Sequence, residues 1–155
     1  MSQDHTVWDP ITSQHIATLH PLIRSRVADF INEADRSGIR LRITSAYRSF
    51  AEQDGLFAQG RTKPGSIVTN ARGGESIHNF GLAFDVVPMV HGQPDWNGYW
   101  SFIGALGKSF GFTWGGDWQT FPDRPHFELD VGLSLADLRG RLNDSELDGG
   151  FVQLD

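Results

Sequence analysis

The chain has 155 residues and a mass of 17.2 kDa, room for one domain and at most a short appended arm. Hydrophobic residues make up 39% of it, with 11 Phe and 5 Trp, enough to close a core without staples, and the absence of Cys excludes a disulfide scaffold, thiolate metal sites and cysteine nucleophiles. A formal charge of -6 argues against binding along a phosphate backbone, so no nucleic-acid partner is expected.

Met1 to Pro10 carries Asp4, His5 and Asp9 where a secretory leader would have basic and then apolar residues, so synthesis in the cytosol is expected. No run approaches the roughly 18 apolar residues of a membrane-spanning helix, and no membrane insertion is expected. A short helix is expected around Ser13 to Leu19. Between Pro21 and Gly38, Ile23, Val27, Phe30, Ile31 and Ala34 fall at helical spacing, and Gly38 is a stop. Ile39, Leu41 and Ile43 then alternate with Arg40, Arg42 and Thr44, the period of a half-buried strand. Ser49 and Glu52 have the spacing of a capping box, which predicts a helix toward Gln59 ended by Gly60. Residues 60–76, rich in Gly, read as a long irregular loop.

Leu82 to Val90 reads as a strand closed by the turn His91-Gly92-Gln93-Pro94. Tyr99 to Phe110 reads as a helix with Phe102, Leu106 and Phe110 on one stripe, and Phe102, Phe110, Phe112 and Phe127 are expected in the core. Short strands are expected at Phe112–Trp114 and His126–Leu129, and a last helix from Ser134 to Leu142. The domain is thus expected to span 1–142, with a loosely held acidic tail at 143–155. Helices and strands mix without regular β-α-β alternation, which predicts an α+β fold with an antiparallel sheet flanked by helices.

Six His are present. His5, His15, His20 and His91 read as solvated or capping residues. His78 and His126 stand apart because of their neighbours. Ser76-Ile77-His78-Asn79-Phe80-Gly81-Leu82-Ala83-Phe84-Asp85 puts a His at the end of a Gly-rich loop and an Asp inside the following strand. A carboxylate flanked by Phe84 and Val86 is either a strand-edge acceptor of backbone hydrogen bonds or paired with a cation, a metal being one candidate. The second cluster runs Trp114-Gly115-Gly116-Asp117-Trp118 and then Asp123-Arg124-Pro125-His126-Phe127-Glu128. Two His and one Asp leave the fourth position of a zinc ion open, as a catalytic site requires, and Asp123, three residues before His126, is placed to act as general base. Asp117 is its competitor. Trp114 and Trp118 read either as a cleft wall or as core caps, and Glu128 shares a strand face with His126, where it can support the site.

The combination Ser-x-His-x-x-x-Gly-x-Ala-x-Asp with a downstream Asp-x-Pro-His-Phe resembles the zinc peptidases of the M15 family, the D-alanyl-D-alanine carboxypeptidase group, over about Ile39 to Leu129. The resemblance implies a single hedgehog/DD-peptidase-like domain, with zinc held by His78, Asp85 and His126 and Asp123 as the base. It also implies that Arg48 faces the substrate, where the residue alone could equally be a surface partner of Glu52 or Asp54, and that Ser76 lies near the substrate, where alone it could close the loop. Asp at position 123, the Trp-Gly-Gly-Asp-Trp segment and Ser45-Ala46-Tyr47-Arg48-Ser49 resemble the L-alanyl-D-glutamate endopeptidase branch. The implied function is hydrolysis of the L-Ala–D-Glu bond of the peptidoglycan stem peptide by a monomeric phage endolysin, made in the host cytoplasm and released through a holin. A D-Ala-D-Ala carboxypeptidase or dipeptidase, or a non-catalytic zinc-containing module, are the rivals.

Overall fold

Leu41 and Ile43, fully buried, anchor strand β1 (Arg40–Ser45) on the core, while Arg40 and Arg42 reach outward. The computed structural model describes residues 6–143, 147–148 and 151–154. His5 lies outside them. β1 pairs antiparallel with β2 (Ala83–Val90), whose outer end turns back through His91 and Gly92, both at positive φ, into β3 (Gln93–Pro94). Two left-handed residues in succession make the tight turn of a hairpin, which is why the expected turn ends in a strand. β4 (Thr113–Trp114) and β5 (His126–Glu128) complete an antiparallel sheet of order β1-β2-β5-β4, with β3 beside β2.

Helices flank the sheet. α1 (Pro10–Ile16) is capped by Asp9, a buried carboxylate that also takes a two-pronged contact from Arg42 at 2.8 and 3.1 Å. α2 (Arg24–Arg36) lays Val27, Phe30, Ile31 and Ala34 on the core, as the stripe predicts, and Phe30 packs on the rings of Phe84, Phe112 and Phe127. α3 (Phe50–Ala58) begins at the complete Ser49–Glu52 capping box. The irregular stretch after it is pinned back to α3: the buried Gln53 amide donates to the Ala71 carbonyl, Gly73 N–H donates to Asp54, and Arg61 lies over the Phe57 ring. No helix among the described residues is long and apolar enough to cross a membrane.

Two expectations are corrected. In α4 (Trp100–Ser109) the inward face is Trp100, Ile103, Gly104 and Gly107, and Phe102 is 45% exposed. The glycines decide this: a Cβ on Gly104 would overlap the Trp114 ring and one on Gly107 the Phe127 ring, so the helix turns its bare side to two aromatics that a Phe stripe would have held away. His20, expected as a solvated or capping residue, is the second: it is fully buried and meets the described part of the tail. α5 (Leu135–Asn143) is followed by β6 (Leu147–Asp148) and β7 (Phe151–Val152), and Val152 is fully buried. It seats on His20, which is buried as well, its Nε2 donating to the Val152 carbonyl at 2.6 Å, so His20 ties the chain's end to the core.

Candidate metal centre and cleft

β2 aims Asp85. Phe84 and Val86 point into the core, which turns Asp85 to the opposite sheet face with Ala83 and Val87. In register it stands opposite His126 on β5 and Ser45 at the end of β1, so the pairing alone brings these three side chains together. His126 Nδ1 lies 3.2 Å from Asp85 Oδ1, and His78 Nε2 lies 3.5 Å from Asp85 Oδ2.

His78 comes from a single 3-10 turn, Ile77–Phe80, that the Ser76 hydroxyl caps by accepting from His78 N–H. Gly81 ends the turn at φ 71, and a Cβ there would collide with the His20 backbone, so glycine is required on both counts. Buried Asn79 ties the turn down: its Oδ1 accepts from Gly74 and Ser76 N–H, and its Nδ2 donates to the Arg48 carbonyl. Neither Gln53 nor Asn79 carries a role in the motif-based reading. Gln53 was nonetheless detectable, as a polar residue at the inward position of the Phe50-Gln53-Phe57 stripe.

Each imidazole presents one nitrogen to the centre and has the other fixed. His78 Nδ1 donates to the Ala46 carbonyl at 2.7 Å, and His126 Nε2 to Glu128 Oε1 at 2.7 Å. This is the supporting arrangement that orients histidine ligands toward a metal. Ligand atoms of His78, Asp85 and His126 all lie within 4.8 Å of one another, and two imidazoles with one carboxylate suit a borderline divalent cation such as zinc, with room for a further ligand. Among the described residues this is the one such group.

Without a metal, charge holds the cluster together. Burial works against the Asp85 carboxylate, yet hydrogen bonds from His126 and His78 hold it well below the usual carboxylate range. Burial likewise disfavours a charged His126, but hydrogen bonds to Asp85 and then Glu128 push it up to about 9. Both carboxylates thus favour the charged form of the His126 ring, and a metal held by it would compete with its proton.

These residues line a cleft of about 330 Å³ that also contains Arg48, Ser76, Trp118, Asp123 and Glu128. Arg48 does not pair with Glu52 or Asp54. Its Nε donates to Ser45, one terminal nitrogen to Gln53 at 3.1 Å and the other to Asp85 at 3.4 Å, so the guanidinium is clamped beside the centre. Trp118 tilts over the His126 ring at 5.1 Å between centroids. Asp123 is held by its backbone, N–H to the Gly115 carbonyl and carbonyl to the His126 N–H, and Gly115 has no space for a Cβ against it. Partial burial, followed by the neighbouring Asp85 charge, raises its carboxyl above the ordinary value.

Two candidates fall outside the cleft. Asp117 pairs with Lys108 of α4 at 2.8 Å on the exposed surface. Trp114 is a core residue whose Nε1 donates to the Arg124 carbonyl. Trp114 belongs to β4 and faces the core, while Asp117 ends the short 3-10 turn Gly115–Asp117 just before the chain enters the cleft at Trp118.

A family profile described as D-alanyl-D-alanine carboxypeptidase matches residues 69–129, a span that contains all three ligand candidates and Asp123. The chain is 44% identical over 122 residues to the peptidoglycan L-alanyl-D-glutamate endopeptidase CwlK of Bacillus subtilis, covering 72% of this chain and 73% of that protein. It is 42% identical over 59 residues to the L-alanyl-D-glutamate peptidase of Listeria phage A118, covering 36% of this chain and 21% of that protein. The fold matches that of the Serratia marcescens L-Ala D-Glu endopeptidase ChiX with a TM-score of 0.58, at 21% identity over 83% of this chain and 93% of that one. With this identity over most of a relative's length, the chain belongs to the M15 family of metallopeptidases.

Proposed function

We propose that this protein is a zinc-dependent peptidoglycan endopeptidase that hydrolyses the L-Ala–D-Glu bond of the stem peptide. The observation that carries the reading is the convergence of His78, Asp85 and His126 in one cleft with Asp123 and Arg48. Zinc, when bound, polarises the scissile carbonyl and makes water a nucleophile at neutral pH. Asp123 takes the proton from the attacking water and passes it to the departing amine of D-Glu, a task suited to a carboxyl raised above its usual value. Arg48, already fixed by Ser45 and Gln53, grips a substrate carboxylate or the oxyanion that develops at the carbonyl. With no Cys in the chain and a water-based route available, no covalent intermediate is needed.

The choice of bond draws on the relatives' named activity and on Asp at position 123. The cellular role we propose is that of a phage endolysin, made in the host cytoplasm and reaching the wall through a holin; the likeness to the Listeria phage peptidase supports it. The test is mass spectrometry of purified peptidoglycan after digestion, with and without a chelator. New amino termini on D-Glu that vanish on chelation are expected. Release of D-Ala instead would make the enzyme a carboxypeptidase, and absence of any product with zinc loaded would refute an enzymatic role. Co-expression with and without a holin tests the setting: lysis only with the holin is expected.

A further inference from the structure

A second hollow, of about 670 Å³, lies at the start of α4. Tyr99 and Phe102 form its walls and are 80% and 45% exposed, Trp100 and Trp114 lie buried behind them, and Arg124 closes one side. Tyr99 is the N-cap residue of α4 and Phe102 lies in its first turn, so both border the same hollow. Two rings open to water around a hollow with one planar donor are more than scattered surface apolar residues, and such a concave aromatic surface suits a ligand.

We propose that this hollow binds the glycan strand of peptidoglycan while the attached peptide lies in the cleft. The inference rests on the reading of the substrate given above. The L-Ala of a stem peptide hangs from the lactyl group of a sugar, so one amino acid and a three-carbon arm separate the scissile carbonyl from the glycan, about 7 Å at ~3.5 Å per residue. An enzyme cutting at this bond must carry the sugar chain directly beside its cleft. Asp123 lines the cleft and the next residue, Arg124, lines the hollow, so one loop bounds both. Tyr99 and Phe102 offer flat apolar faces to the C–H faces of pyranose rings, and Arg124 offers N–H donors to hydroxyl and acetamido oxygens. A lipid surface also takes exposed aromatics, but a concave site sharing its loop with the cleft favours a chain held alongside the peptide.

The test compares the zinc-loaded wild type with the double variant Tyr99→Ala, Phe102→Ala, two exposed positions whose truncation leaves the core intact. Binding is measured to peptide-stripped glycan strands, and cleavage is measured on intact sacculi and on a sugar-free stem peptide. The wild type is expected to bind the strands and the variant to bind at least about tenfold more weakly. Cleavage of sacculi by the variant should fall in parallel, with cleavage of the free peptide unchanged. Failure of the wild type to bind stripped strands, or equal binding by the variant, overturns the proposal, as does wild-type binding to anionic lipid vesicles in place of the strands. Failure of the wild type to cleave the free peptide while it still binds strands would count against the assigned reaction and leave the glycan site standing.

Discussion

Glu128→Gln and Glu128→Ala probe how the candidate zinc ligand His126 is held. Glu128 Oε1 accepts from His126 Nε2 at 2.7 Å, its side chain is only 22% exposed, and the imidazole is still more enclosed, so the contact is poorly screened. Supporting carboxylates of this kind are worth about 10 to 100-fold in metal affinity, or roughly 1.4 to 2.7 kcal/mol. Gln keeps an acceptor oxygen and loses the charge, so its expected loss is about tenfold; Ala loses both and should approach 100-fold. An opposing effect comes from the proton. Hydrogen bonds to Asp85 and Glu128 push the His126 ring up to about 9, so at pH 7 zinc competes with a proton, and removing Glu128 eases that competition. The loss in affinity is therefore expected to be largest at pH 9 and to narrow at pH 7. Zinc dissociation constants from competition with a chelator of known affinity, taken at both pH values, measure this directly. An unchanged constant in Glu128→Ala at pH 9 would refute the reasoning, and a loss beyond about 10⁴-fold would mean that Glu128 is itself a ligand.

Asp123→Asn should bind zinc normally and lose about 10² to 10⁴ in rate on peptidoglycan, whereas Asp117→Asn, at an exposed pair with Lys108, should stay near wild type; the reverse order in a turbidity assay would move the base. Arg48→Ala should keep its zinc by elemental analysis and lose most activity, and Arg48→Lys should recover little, since one ammonium cannot replace three nitrogens contacting Ser45, Gln53 and Asp85. Gly107→Ala forces a methyl into the Phe127 ring and should destabilise by about 1 to 3 kcal/mol, a fall of roughly 2 to 4 °C in Tm per kcal/mol by calorimetry. The metal-stripped protein should lose stability between pH 6.5 and 9. His126 has its folded value raised from 6.5 to about 9, so its contribution is complete below 6.5 and disappears as pH rises to 9. Asp85, lowered in the fold, contributes above its ordinary 3.8 and loses this only in acid. Urea unfolding with chelator present, compared with His126→Gln, checks the trend: the variant should show a flat profile across that window.

Periodicity and caps carried much of the architecture. The α2 stripe, the alternation in β1 and the Ser49–Glu52 box are local signals, and each appears where neighbouring residues impose it. The α4 stripe misled because burial there depends on which partner comes closest, and Trp114 and Phe127 approach the two glycines from a distant part of the chain. His20 misled for a similar reason: its neighbours in sequence do not announce burial, and its partner Val152 lies 132 residues away.

The sequence by itself narrowed the side chains that could hold a metal to His and carboxylates, because the chain has no Cys, and the resemblance of its two His-containing motifs to a known family pointed to three of them. It also determined that Asp85 leaves the core, since a strand with Phe84 and Val86 inward must turn the residue between them outward. Only the tertiary structure decided that Asp85 meets His126 and Ser45, because strand register is a contact between segments 40 residues apart and no local pattern specifies it. It likewise separated Asp123 from Asp117, both members of the second cluster, three and nine residues before His126. The backbone bonds of Asp123 to Gly115 and His126 fold one into the cleft, and Lys108 holds the other at the surface.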